Sequence, residues 1–220
     1  MEATSVRQPG QRFERDPAKE TTSPPTVAAM SIADPGPLGL AAFALTTFVL
    51  SFFNAGIVSD AGEPVVLGLA LAYGGLAQLL AGMWEFRNNN TFGATAFTSY
   101  GAFWLSFWAF NQFFASKVPD ANVGDAVGLY LIAWGIFTAY MFIASLRTTA
   151  AIATVFALLA ITFIVLGIGN AADASGITKA GGWIGIVTAI AAWYASFAGV
   201  ANSTFGRTVM PVRPFTRAGG

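Results

Sequence analysis

Cysteine and histidine are absent from this chain of 220 residues, and only 10% of its residues are charged. Without cysteine there are no disulfides, no thiolate metal sites and no thiol nucleophiles. Without histidine the chain lacks the commonest metal ligand and the one side chain whose ordinary pKa lies between about pH 5 and 8. Metal chemistry and proton relays lose their usual residue, and neither a metal nor a cofactor is expected. Charge is scarce against the roughly 25% of ordinary soluble domains, too scarce to cover a water-soluble surface. The 11 basic and 11 acidic residues cancel, and no basic stripe stands out. Nucleic acid is therefore not an expected partner.

What the chain has in quantity is apolar length, with 55% hydrophobic residues. Six stretches carry no charge at all: 37–58, 65–84, 96–115, 126–146, 149–168 and 181–201. Each runs for 20 to 22 residues, and at about 1.5 Å per residue a helix of that length crosses the roughly 30 Å hydrocarbon core. Six buried helices of this kind in a soluble protein would need a far larger polar shell. The reading is an all-α integral membrane protein of six transmembrane helices, with the lipid bilayer as its solvent. Turn formers and charges mark the connections: Asp60 to Pro64, Glu85 to Asn90, Lys117 to Gly124, Arg147 with Thr148, and Asn170 to Lys179.

Residues 1–33 differ in composition, mixing charges with Pro24, Pro25 and small polar residues. They read as a disordered tail, not as a signal peptide, because no apolar core follows the charges directly. The domain expected from this pattern covers 34–206, with a C-terminal tail over 207–220. Basic residues near helix ends stay in the cytoplasm. Nine fall on one side (Arg7, Arg12, Arg15, Lys19, Arg87, Arg147, Arg207, Arg213, Arg217) and only Lys117 and Lys179 on the other. Both termini are expected in the cytoplasm of a multi-pass protein of the cell membrane.

Two motifs fail on context. Gly167-Ile168-Gly169-Asn170 imitates a dinucleotide fingerprint but ends a membrane helix instead of opening one. The sequons at Asn89 and Asn202 lie on the expected cytoplasmic side. Small residues instead mark helix contacts, since helices in lipid associate by close packing. Gly68, Gly75 and Gly82 repeat on the second helix, and Gly185, Ala189, Ala192, Ser196 and Gly199 form one face of the sixth.

Polar groups within the six stretches are few: Thr46, Thr47, Ser51, Asn54, Gln78, Thr98, Ser99, Tyr100, Tyr130, Thr138, Thr154 and Thr162 among them. Most hydroxyls in such helices bond back to the backbone. Gln78 is different, because its amide brings two donors and an acceptor into hydrocarbon and must face the interior or a wet cavity. No Asp, Glu, Lys, Arg or His lies inside any stretch. Any path through the bundle would have neutral donors and apolar walls, suiting a small solute that crosses uncharged or an anion held by donors at the mouths.

Asp34-Pro35-Gly36-Pro37-Leu38-Gly39-Leu40 resembles the Asn-Pro-Ala-Pro-Leu-Gly-Leu signature of the acetate uptake transporter family, also called succinate/acetate permeases. Tyr73 to Gln78, Asn90 to Gly101, Gly167 to Asn170, Gly182 to Gly185 and Phe205 to Thr208 follow in the family's order. The resemblance implies passage of acetate and other short carboxylates such as succinate, by proton symport or channel-like conduction, in a hexamer with one pore per subunit. It places a hydrophobic constriction on Phe43, Tyr100 and Leu159, and a size-selecting small residue on Ala192. Gln78, Thr46, Thr47, Asn54 and Asn170 are the candidate polar path residues. Asp34 and Gly36 depart from the signature, and Asp34 puts a negative charge at a mouth that an anion would use. The rival from another class is an acetate-sensing receptor or scaffold without transport. An enzyme is not expected, since no intramembrane base or nucleophile is available.

Overall fold

The structure is a computed structural model that describes residues 32–215. The expected tail over 1–33 falls outside the described residues except for its last two positions, and residues 216–220 also fall outside. Helices make up all the regular structure described. α1 is Gly36–Asn54, and the Gly36 N–H donates to Asp34 Oδ1 at 2.8 Å just ahead of it. α2 is Val65–Arg87, with a π-helical turn at Ala72–Ala77 immediately before Gln78. α3 is Thr91–Ala109, opened by Asn90, whose side chain accepts the Gly93 N–H at 3.0 Å. It continues into a second π turn at Phe110–Phe114. α4 is Asp120–Ser145 and α5 is Ala150–Ala171, capped by Thr149 Oγ1 at 3.2 Å from the Ile152 nitrogen. α6 is Ser175–Phe205 and ends at Gly206, whose φ of 61° is the left-handed conformation that glycine adopts freely.

Five of these, all but α3, are long and apolar enough to cross a bilayer. In α3 the apolar residues are diluted by Thr91, Thr95, Thr98, Ser99 and Tyr100. Several helices run past the charge-free stretches. α6 has 31 residues and takes in Ser175 to Lys179, expected to be connection. α4 starts at Asp120 and contains Gly124, and Glu85 and Arg87 end α2 as helix. Charges mark where a helix leaves hydrocarbon, whereas the backbone hydrogen-bond ladder carries on into the interface.

α1 packs along α6, α6 along α5 and α5 along α4, while α2 and α3 form a second pair that closes on α1. The small-residue face of α6 does this work at both ends: a Cβ at Gly185 would strike Ser51 Oγ and one at Gly199 would meet Pro37 Cγ at 2.7 Å, and Ser196 Oγ donates to Pro37 O at 2.7 Å. On α2 only part of the glycine repeat is contact. A Cβ at Gly75 would strike Leu105, whereas Gly68 faces open space. α3 and α4 touch little along their backbones, and aromatic side chains fill the interval. Leu129, Ile136 and Ile143 of α4 are 72%, 65% and 68% exposed at seven-residue spacing, the outward face of a helix suited to lipid or to a neighbouring subunit.

Residues past Gly206 double back. Ala150 and Ala151 donate their N–H groups to Arg213 and Val212, Tyr194 Oη donates to Pro211 O at 2.7 Å, and Asn202 Oδ1 accepts from both Val209 and Met210. The segment thus pins the end of α6 to the start of α5.

Candidate functional site

Tyr100 of α3 sits at the centre of the aromatic interval, 3% exposed. Its ring centroid lies 5.9 Å from Phe43 of α1, 5.5 Å from Phe137 of α4, 6.0 Å from Phe156 and 6.5 Å from Phe163 of α5. Leu159 and Ala192 belong to the same buried apolar cluster as Phe43 and Tyr100. The three expected constriction residues and the small residue of α6 are therefore gathered in one place by four different helices. Phe156 and Phe163 were not singled out from the sequence. They stand three and four residues from Leu159, on its helix face, and that spacing was the available signal.

The hydroxyl of Tyr100 is 3.0 Å from Thr138 Oγ1, which itself donates to Trp134 O at 2.7 Å. Threonine has one hydroxyl proton, so Tyr100 is the donor in this pair. Its proton is committed, and its oxygen faces the cluster as an acceptor. That arrangement fits a solute that brings its own proton better than a bare carboxylate.

Gln78 is fully buried, and neither its Nε2 nor its Oε1 has a partner. A Cβ on Gly74 would press on Thr46, and one on Gly101 would meet Leu79. These contacts set Gln78 at about the level of Phe43 and Tyr100. The π turn before it changes the facing of α2 at this point, a distortion frequent at functional sites. Thr47 Oγ1, Thr98 Oγ1 and Trp104 Nε1 are also buried and unpartnered. Thr46, by contrast, donates back to Ala42 O at 2.9 Å and packs on Gly74.

A cavity of about 500 Å³ opens from the end of the bundle that carries the α1–α2 and α5–α6 turns, and its lining includes Phe103, Phe107, Tyr130, Leu50, Asn54, Glu63 and Asn170. Phe103 stacks edge-on to Phe163 at 5.2 Å, and Phe163 stacks on Tyr100. The cavity floor is thus one ring removed from Tyr100. Asn170 donates its amide to Leu166 O at 2.8 Å, which leaves its carbonyl for the cavity. Glu63 is half-buried there, and burial first, then the charge of Asp60, holds its carboxyl above the ordinary carboxylate range. Its role was not legible in the sequence, where it reads as part of a polar turn.

The signature residues Asp34 to Leu40 lie at the opposite end and seat α1. Pro37 docks on α6 as described, and a Cβ on Gly39 would collide with the Phe97 ring at 2.6 Å. A methyl at Gly36 would stand 3.0 Å from Asp34 Oδ1 and 3.4 Å from Glu85 Oε1.

Residues 19–217 match the model of the GPR1/FUN34/yaaH family. The chain belongs to that family. Within it, the chain is 43% identical over 205 residues to acetate permease A of Emericella nidulans, covering 86% of this chain and 69% of that one. It is 40% identical over 181 residues to the succinate-acetate/proton symporter SatP of Escherichia coli K12, covering 82% and 95%. A solved structure titled as the bacterial acetate channel SatP superposes with a TM-score of 0.77 at 40% identity, over 83% of this chain and 99% of that one. The chain spans between 64% and 69% of the length of the fungal relatives it matches.

Proposed function

We propose that this member of the GPR1/FUN34/yaaH family carries acetate and related short carboxylic acids, succinate among them, across a membrane. Six helices, α3 included, cross the bilayer with both termini cytoplasmic, and each subunit of a homo-oligomer, a hexamer, holds one path. The observation that supports this reading is the burial of Phe43, Tyr100 and Leu159 in one apolar cluster, with a cavity lined in part by Asn54 and Asn170 close to it; we take the three as the ring of the neck. The names of the relatives point the same way.

The ring separates the solute from water. An ionised carboxylate stripped of water in an apolar neck is very costly, and the six charge-free stretches offer no base or cation there. The acid therefore crosses protonated. Its O–H is donated to an acceptor such as the Tyr100 oxygen, and its carbonyl accepts from a donor such as Gln78 Nε2. Thr46, whose proton goes to Ala42 O, keeps only acceptor capacity, while Asn54 and Asn170 hydrate the entrance.

Labelled acetate uptake into proteoliposomes, with and without a pH gradient, tests the reading. An acid of pKa roughly 4 to 5 is about 1% neutral near pH 6 to 7, so flux should rise about tenfold per unit fall in pH until the acid is mostly protonated. No uptake at any pH would defeat transport and leave a sensor. Tyr100→Phe removes the acceptor oxygen but leaves Thr138 bonded to Trp134, so flux should fall severalfold with little change in stability. Phe43→Ala should instead admit larger carboxylates and weaken the preference for the neutral acid. Equal selectivity in the two variants would take Phe43 out of the neck.

Topology is open to a direct check, because the parent has no cysteine. Single cysteines at positions 20, 62, 120 and 215 are expected to react with an impermeant reagent from outside only at 62 and 120. Outside reaction at 20 or 215 would reverse the orientation.

A further inference from the structure

Two cavities meet at the end of the bundle formed by the α1–α2 and α5–α6 turns. The inner one, described above, is mainly apolar and leads toward Phe103. The outer one, of about 350 Å³, is polar, and Asp60, Asp173 and Lys179 are in its wall. Asn54, Glu63 and Asn170 line both. Glu63 is thus the one carboxylate at the junction, with a neutral amide on either helix beside it. The ionisable groups that share these walls are Asp60 from its own turn, Asp173 and Lys179 from the α5–α6 side, and Tyr130 from α4. Asp120 and Asp125 of α4 are exposed and belong to neither lining. With every carboxylate ionised, the mouth carries three negative charges against one positive.

A solute that enters as an anion meets like charge at the narrow passage from a wet cavity to a dry one. There the field of a half-buried charge is screened less than at an open surface. We propose that Glu63 is the charge-selecting residue of this mouth: ionised, it keeps carboxylate anions out of the inner cavity, and neutral, it admits them by donating an O–H···O hydrogen bond. The anion thus supplies the inner cavity and takes its proton there from water before the neutral acid passes the neck. The inference rests on the transport reading above and adds to it a proton-dependent entry step distinct from the solute's own protonation. Burial and Asp60 hold the Glu63 carboxyl above the ordinary range, so it turns neutral at a higher pH than an exposed carboxyl would. A dianion feels the same charge twice over, so exclusion acts on dicarboxylates more than on monocarboxylates.

The test compares wild-type protein with Glu63→Gln in proteoliposomes, measuring labelled acetate and succinate uptake between pH 4.5 and 7.5. The readout is the ratio of variant to wild-type flux at each pH, from which the solute's own protonation cancels. For acetate the ratio should be near one at the acid end and rise to roughly tenfold at the neutral end, the order expected for two unit charges several ångströms apart in a partly screened site. For succinate it should rise further. Asp60→Asn removes one of the two influences that raise the Glu63 carboxyl, so it should move the wild-type transition to lower pH without abolishing it. That variant alters an exposed turn residue and keeps the proposal open to test should Glu63→Gln assemble poorly. A flat ratio across the range overturns the proposal, as does an unmoved transition in Asp60→Asn. A ratio well below one at neutral pH also overturns it, since Glu63 would then be a proton donor to the solute. Absence of uptake by the wild-type protein would instead defeat the transport reading.

Discussion

Gln78→Leu is expected to yield a protein that is more stable and carries less acetate. Both polar atoms of the Gln78 side chain are buried without a partner, and a buried group left unsatisfied costs about 1–3 kcal/mol. Leucine has a similar volume and no such cost, so the midpoint of thermal unfolding in detergent should rise by several degrees, on the order of 2–4 °C per kcal/mol for a chain of this size. Transport should move the other way. In the neck proposed above the amide would replace water on the solute, and losing one hydrogen bond worth about 1.4 kcal/mol would slow passage roughly tenfold. Stability and function moving in opposite directions is the signature of a polar group retained for a ligand instead of for the fold. A Gln78→Leu protein with a higher midpoint and unaltered acetate uptake would remove Gln78 from the path.

Ala192→Phe should nearly abolish flux while the protein still inserts. Ala192 is fully buried in the cluster that holds Phe43, Tyr100 and Leu159. α6 is fixed against α1 on either side of it, by Ser51 at Gly185 and by Pro37 at Gly199, so α6 has little room to move away. The added ring goes into the cluster instead, at a cost in stability of about 1–3 kcal/mol. The proposed neck, wide enough only for a small acid, would then be closed, and uptake should fall by more than about tenfold. Ala192→Gly makes the opposite change and should speed the larger acids relative to acetate. Normal uptake by a well-assembled Ala192→Phe protein would return Ala192 to plain helix packing, along with the rest of the α6 face.

Much of this architecture could be read from residues alone, because membrane insertion is close to a local property. Five of the six helices are long and apolar enough to span by themselves, and the transfer of such a helix into lipid depends little on its neighbours. Tyr100 was reachable through a motif quoted above, Phe43 through its place three residues past another, and Gln78 through the cost of an amide in hydrocarbon. The helix ends were less legible: Thr91 to Thr95 opens α3 although the charge-free run was placed from 96, because hydrogen bonding and apolarity end at different residues. Gly68 shows the same limit for packing, since its spacing matches that of Gly75 and Gly82 yet nothing approaches it.

By itself, then, the amino-acid sequence determined that the chain is helical and apolar, that its helices bury no cation or base in their charge-free cores, and that Gln78 is an amide in need of a partner. Only the tertiary structure decided which groups meet. The proton of Tyr100 is committed because Thr138, 38 residues away, spends its own on Trp134. Glu63, one turn residue among several, becomes the carboxylate between two cavities because α1, α2 and the α5–α6 turn converge there. Such facts concern pairs of groups distant in the chain, and a hydrogen bond or a Coulombic field depends on the distance between its partners in space.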